Sequence, residues 1–439
     1  MTPEPTTVRR PLHWLALALF AVTVLLSINA VKLGIGPIPI RFMTLIVSGA
    51  CLALADAERF GDAIKRSRKL IAIVASLALL GIVVSLIAAA PPADFLRQVV
   101  EIHIQAIIGA VVAYALMLRF GITAVLVCFL GSYAVSAVVA IGQALQIDAA
   151  WGARAAIGRL MKDVPLTQEL YIRRERALGL SFSPVHFGTQ TCHALTAVLF
   201  IRFNRNGLNL RQPDWTLVAA GILFMTLVTV TGNRSPLLGM LIFFTLYGFI
   251  VAPRLMVVGL PMALLAAVAL PILMDNLSQA GVRVAETEDG SAAGRSTLRA
   301  FGLYLIGERP IGYGLTFNSL DYWPSFMHRA IYLDHSLAFR EWPVHNYYLN
   351  VLAKYGVLIL FVVPFIFPRD RLQWSLWFSF VPYIVHIFYH NEGPMQGDFM
   401  IFFLLPAALL LLARESTKVQ QLHRSAAHSW RRAFADPVI

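Results

Sequence analysis

Four residues in this sequence have the side chains that phosphate and proton chemistry needs: Arg176, Arg234, Arg295 and His345. An arginine presents a permanently charged planar fork of donors that matches the oxygens of a phosphate group. Several such forks converging at a membrane boundary would hold a diphosphate headgroup while its lipid tail stays in the bilayer. His345 shortly precedes an apolar run that starts at Tyr347, which puts it at the N-terminal end of a helix. The helix dipole there disfavours imidazolium and attracts an anion, so a neutral ring stands ready as a proton acceptor beside a bound diphosphate. A general base so placed is worth roughly 10²–10⁴-fold in rate.

Each of these residues also has a plainer explanation. Interfacial arginines such as Arg173, Arg174 and Arg176 routinely meet lipid headgroups, Arg295 would anchor a surface helix, and a histidine at a helix start is common. Arg234 is harder to explain away, because it occupies a short turn between apolar runs where a charge is expensive. Glu286, Glu288 and Asp289 resemble a metal cluster, but they lie among Thr, Gly, Ser and Ala with no histidine nearby and read as a solvated loop. Glu101 and His103, two residues apart, leave different helix faces and cannot share a ligand. With His186, His193 and Lys354 they read as buried, hydrogen-bonded residues. No metal and no cofactor is expected.

The elements that must position these residues belong to a membrane. The chain is 58% hydrophobic and only 14% charged, too little charge for a soluble surface. Apolar runs long enough to cross roughly 30 Å of hydrocarbon recur from end to end. The fold expected is an all-α polytopic membrane protein, residues 1–439 forming one transmembrane domain of about twelve spans. The runs at Pro184–Phe203, Leu255–Met274 and Tyr347–Phe367 are among them, and the run after Arg9 and Arg10 is expected to be a retained first span. Cys51, Cys128 and Cys192 all fall in apolar segments, where a thiol behaves as a small hydrophobe, so no disulfide is expected.

The net charge of +12 comes from short basic clusters between apolar runs, which argues for membrane orientation and against nucleic acid as a partner. Short loops on the N-terminal side carry Arg59, Lys65, Arg66, Arg68, Lys69, Arg202, Arg205 and Arg211 among others, against Lys32, Arg41, Arg97 and Arg234 on the other. Both termini, including a basic tail at 414–439, are therefore expected in the cytoplasm. Segments 146–183 and 275–344 then face the opposite compartment, together with all four candidate residues. Long segments of this kind are usually functional. Within 275–344, Leu298, Phe301 and Leu305 recur at near-helical spacing until Pro310, which predicts an amphipathic helix lying on the membrane surface.

The motifs carrying the candidate residues resemble those of the bacterial O-antigen ligase and O-antigen polymerase superfamily. They are Arg176-Ala-Leu-Gly179 with Pro184, Thr231-Gly-Asn-Arg234-Ser235, Gly294-Arg295-Ser296, Glu308-Arg-Pro-Ile-Gly312-Tyr-Gly314 and His345-Asn346-Tyr-Tyr-Leu349 followed by Gly356. The likeness rests on their order and spacing, with a long loop before the His-Asn helix. It implies a metal-independent, inverting transfer of a glycan from undecaprenyl diphosphate to a sugar hydroxyl. His345 would be the catalytic base and Arg176, Arg234 and Arg295 would bind the diphosphate, with Asn346 and Ser235 as candidate supports; Glu392 is an open supporting candidate outside the family motifs. Two positions depart from the family pattern: Asn233 and Pro236 stand where smaller residues are expected. The loop His390-Asn391-Glu392-Gly393-Pro394 has no assigned family role.

The leading expectation is a ligase of lipopolysaccharide biosynthesis, in the inner membrane with a periplasmic active site, whose acceptor is lipid A–core or another glycan. A polymerase with the same donor chemistry is the alternative, since both need the same grip on the donor. A flippase or transporter would instead place ionisable residues near the bilayer midplane, in two related halves. A non-catalytic scaffold would tolerate substitution of Arg234 or His345.

Overall fold

A computed structural model describes residues 6–29, 34–35, 38–160, 176–206, 214–251, 290–330, 332, 342–366, 374, 376–391, 393–394 and 404–414. Its helices in chain order are α1 (Thr6–Ile28), α2 (Ile40–Ala55), α3 (Ala57–Ile87), α4 (Pro92–Phe120), α5 (Ile122–Ala144) and α6 (Asp148–Leu160). They continue with α7 (Pro184–Asn206), α8 (Trp215–Val230), α9 (Arg234–Val251), α10 (Gly290–Glu308), α11 (Trp323–Ala330) and α12 (Tyr347–Tyr355). The last are α13 (Val357–Ile366), α14 (Phe378–Ile387) and α15 (Leu404–Arg414). Gly34–Ile35 and Ile38–Pro39 pair as a minimal antiparallel ladder ahead of α2.

Local sequence explains most of these boundaries. The Asp56 carboxylate accepts from the Arg59 amide at 3.0 Å and so caps α3. Asp214 accepts from the Thr216 and Leu217 amides to open α8, and its other oxygen takes Arg202 Nε at 2.5 Å, tying the end of α7 to the start of α8. Gly121, at φ +85°, ends α4, because that conformation needs no Cβ. Asn346 caps α12 by accepting from the Leu349 amide at 3.1 Å.

Among the described residues, five helices are long and apolar enough to cross a membrane: most of α1, and α3, α4, α5 and α9. A sixth arises if α12 and α13 are counted together, and α2, α8, α14 and α15 are apolar but shorter. This is a membrane protein with several spanning helices; the count of twelve is not reached by the described helices, and Leu255–Met274 lies outside them. The wide lipid-compatible surface fits this reading, with Leu54, Leu79, Val138 and Ile222 all exposed.

Two expected spans take another form. Residues Pro184–Phe203 form α7, but this helix is not among the long apolar ones; it carries Gln190, Thr191, His193 and Thr196, all fully buried. Neighbours supply its partners: Tyr133 Oη lies 2.9 Å from Thr191 Oγ1, Gln190 Nε2 donates to the Ile28 carbonyl, and Thr196 donates to the Ser379 carbonyl at 2.8 Å. α7 is thus the polar centre of the bundle, shielded from lipid by α5, α8, α9 and α14. The run Tyr347–Phe367 is not one straight span, since α12 and α13 meet at Gly356 with a bend of 104°.

The bend has a conformational cause. Gly356 has φ +71°, and a Cβ there would fall 1.9 Å from the Ile311 carbonyl oxygen. The strap Pro310–Gly314 lies against this break: the Tyr313 and Gly314 amides donate to the Ala353 and Lys354 carbonyls at 2.8 and 3.0 Å, and Val357 donates to Pro310 at 2.8 Å. Carbonyls left without partners at the end of α12 are satisfied by the strap. This interlock fixes α10, which precedes the strap, relative to α12.

The helix expected after Gly294 is α10, but its apolar face is covered by protein, which corrects the expected membrane-surface placement. Leu298, Phe301 and Leu305 pack with Tyr313, Trp323, Phe326, Val344 and Ala353 into a second core, where Phe301 stacks on Trp323 at 4.6 Å. Glu101 is not buried either; its carboxylate meets Arg97 at 2.7 Å on a half-exposed surface. His103 is buried and bonded to Tyr355 Oη at 3.0 Å. His193 is buried, yet neither ring nitrogen has a hydrogen-bond partner among the described residues.

Candidate active site

The candidate residues are assembled around the turn between α8 and α9. Arg176 donates from Nε to the Thr231 carbonyl at 2.8 Å and from Nη2 to Asn233 Oδ1 at 2.6 Å, and its neighbour Ala177 donates to Val230. Asn233 in turn donates to the Pro184 carbonyl at 2.5 Å, the first residue of α7. The asparagine that departs from the family pattern is therefore the bracket between Arg176, the α8–α9 turn and α7. Pro236, the other departure, fills space against α7, where a Cβ on Gly188 would fall 2.8 Å from its ring.

The rest of the 176–183 segment is strapped down by side chains. Gln143 Oε1 accepts from both the Leu178 and Gly179 amides at 2.9 Å, Ser136 Oγ accepts from Leu180, and Arg154 donates to the Ser181 and Phe182 carbonyls. Gly179 is required at φ +59° because it lies directly on the Ser136 backbone. These bonds replace secondary structure, so Arg176 is held by a rigid loop.

Arg234 is the first residue of α9 and is half-buried. The next residue, Ser235, is buried between two histidines, with Oγ 3.0 Å from His386 Nδ1 and 2.9 Å from His390 Nε2. His386 sits in α14 and its Nε2 lies 2.8 Å from Thr189 Oγ1 of α7. His390 lies past the end of α14, in the loop that had no assigned role. Its ring centroid is 4.5 Å from that of His386 and 6.4 Å from that of His345.

His345 is half-buried, and its Nδ1 lies 2.9 Å from the Pro343 carbonyl. A carbonyl only accepts, so Nδ1 carries the hydrogen and the neutral ring has its lone pair on Nε2. The expected start of a helix beyond it is confirmed, with Asn346 as the cap and Tyr347 as the first residue. Asn346 is thereby committed to the helix backbone, a supporting position. Trp342 flanks the ring at 5.3 Å. The loop bearing His390 is packed onto α12: Asn350 donates to the Asn391 carbonyl at 3.3 Å, and a Cβ on Gly393 would collide with the Tyr347 ring.

Arg295 enters from the second turn of α10. The electrostatics of His390 bring these elements together: its imidazole is held well below the ordinary histidine range, first by burial and then by His386, His345, Arg295 and Arg176. Arg176, Arg295 and His345 thus all act on one buried ring. Arg234 stands at the edge of the same cluster, adjacent to Ser235. Arg173, Arg174, Glu286, Glu288, Asp289 and Glu392 lie outside the described residues.

Thr189, His386 and His390 belong to this site and carry no motif. The available sequence signal is the four-residue spacing of His386 and His390 at the end of an apolar run, which puts both on one helical face. Among the described residues no three of His, Cys, Asp and Glu are grouped to hold a metal ion.

Fold and site together define a polytopic helical membrane protein with a cationic, imidazole-bearing cluster of side chains where α7, α9 and α12 begin. Residues 219–363 match the family model for O-antigen ligase, which bears out, over that stretch, the resemblance to the O-antigen ligase and polymerase superfamily. The match covers less than half of the chain; it includes Arg234, Ser235, Arg295, His345 and Asn346 and leaves out Arg176, His386 and His390. A comparison with curated proteins found no match.

Proposed function

We propose that this protein is a glycosyltransferase of the O-antigen ligase type, moving a glycan from undecaprenyl diphosphate to a sugar hydroxyl of lipid A–core. The observation that carries this reading is that Arg176 is bonded to the α8–α9 turn, whose Ser235 contacts His390, and that His390 lies 6.4 Å from His345, so three separate parts of the chain meet at one place. Helices α7, α9 and α12 also begin here, at Pro184, Arg234 and Tyr347, and the positive ends of their dipoles add to the attraction for an anion.

On this reading Arg176, Arg234 and Arg295 grip the diphosphate. His345 Nε2 takes the proton of the acceptor hydroxyl as its oxygen attacks the anomeric carbon. The bond from that carbon to the diphosphate oxygen breaks, its electron pair leaves with the diphosphate, and the anomeric configuration inverts. The arginines stabilise the negative charge that accumulates on the leaving group, an electrostatic contribution of several kcal/mol in comparable sites, about 10²–10³-fold per donor. No resident cofactor takes part. The basic loops support an inner-membrane orientation with both termini cytoplasmic and the site in the periplasm.

Reconstitution tests the reading. Proteoliposomes holding the protein and an undecaprenyl-diphosphate-linked repeat unit are offered either lipid A–core or a second lipid-linked chain. A glycosylated lipid A–core is the expected product; elongation of the lipid-linked chain alone would reassign the protein to polymerisation, and no product with either would sink both.

A further inference from the structure

The hydrogen bonds behind His390 can run in either of two directions, set by the histidine tautomers. With Thr189 Oγ1 donating to the Val185 carbonyl at 3.2 Å, it accepts from His386, whose Nε2 then carries the hydrogen. The neutral His386 ring then has its lone pair on Nδ1, which accepts from Ser235 Oγ at 3.0 Å. With its hydrogen so used, Ser235 Oγ accepts from His390 Nε2 at 2.9 Å. In this direction the chain of donors ends by placing the lone pair of His390 on Nδ1.

We propose that His390 is a proton relay between His345 and the departing diphosphate, its Nδ1 receiving the acceptor's proton after His345 and passing it to a diphosphate oxygen. The inference rests on the transfer reaction proposed above. The two ring centroids are 6.4 Å apart, and proton transfer between the rings would run through one bridging hydroxyl or water. The diphosphate gains basicity as its bond to the sugar breaks, which makes it the final acceptor of the proton. The ledger closes: the acceptor oxygen exchanges its O–H bond for a bond to carbon, and the diphosphate oxygen exchanges its bond to carbon for O–H. The charged and titratable groups about His390 are His386 from α14, His345 ahead of α12, Arg295 from α10 and Arg176 ahead of α7. All oppose a lasting positive charge on His390, as a relay requires: it must hold the proton only in passing. The ring's depressed basicity keeps its resting state neutral.

Glutamine separates relay from scaffold, because its amide nitrogen donates to Ser235 much as imidazole Nε2 does but cannot carry a proton. In proteoliposomes with undecaprenyl-diphosphate-linked oligosaccharide and lipid A–core, H390Q should lose about 10²-fold in kcat, with the donor KM unchanged. H390A should lose as much and recover in proportion to added imidazole. In addition, ¹⁵N NMR of the full-length protein in nanodiscs, assigned with H390Q, should show the neutral Nε2–H form of His390. An H390Q enzyme within about threefold of wild type, no imidazole rescue, or the Nδ1–H form would each overturn the relay while leaving glycosyl transfer standing. An inactive wild-type protein would instead overturn the transfer reading, and the relay with it.

Discussion

Arg176 and Asn233 are joined at 2.6 Å, a charged donor on a neutral amide oxygen, across the 57 residues that separate them. The contact leaves the guanidinium its full positive charge while fixing its plane. Replacing Arg176 by Ala removes charge and bracket, and should lower kcat/KM for the lipid-linked donor by about 10–100-fold, the worth of one or two hydrogen bonds to a charged group. R176K should do little better, since an ammonium cannot reproduce the fork. N233A keeps the charge and should cost less than R176A; steady-state kinetics across the three variants test the order.

The interlock at Gly356 makes a prediction about folding. An alanine there combines a left-handed backbone with a Cβ 1.9 Å from a carbonyl oxygen, a cost above the about 1–3 kcal/mol of backbone strain alone. G356A should therefore melt well below the wild-type protein in detergent, while alanine at Gly307, where nothing lies within 4 Å, should leave the melting temperature within a few degrees.

The depressed His390 has a signature in stability. Its folded pKa lies well below the unfolded value near 6.5, so the unfolded chain binds more protons between those two values. The contribution is complete above about pH 6.5 and is lost as pH falls toward the folded pKa, with a slope of at most about 1.4 kcal/mol per pH unit. Denaturation of wild type and H390Q at pH 7.5, 6.0 and 5.0 should show the gap between them shifting in favour of H390Q as the medium becomes acidic.

Orientation is testable by labelling. Ser296, exposed on α10 beside Arg295, and Lys69, exposed on α3, are assigned to opposite sides. In spheroplasts, S296C should react with an impermeant maleimide directly and K69C only after permeabilisation. The reverse pattern would place the site in the cytoplasm.

Much of this architecture is legible in the chain, and the reasons are local. α5 and α9 follow from the length of their apolar runs, α7 starts at Pro184, and Leu298, Phe301 and Leu305 announce α10. Arg234 and His345 point to one end of the bundle because each sits at the start of a helix. What the pattern conceals is tertiary. A window of hydropathy sees the apolar character of 347–366 but not the positive φ that bends it at Gly356. Periodicity shows that α10 has an apolar face and cannot say whether lipid or Trp323 covers it. The Thr189–His386–Ser235–His390 chain joins three distant segments, so only the four-residue spacing of its histidines is visible beforehand.

The most direct test of the account is the rate of glycan transfer by H345A and H345N in proteoliposomes, with binding of radiolabelled undecaprenyl diphosphate measured on the same preparations. Neither variant can accept a proton, so both should bind the lipid diphosphate as wild type does and transfer at least about 10²-fold more slowly. Transfer at the wild-type rate by either one would remove His345 from the reaction and contradict the account.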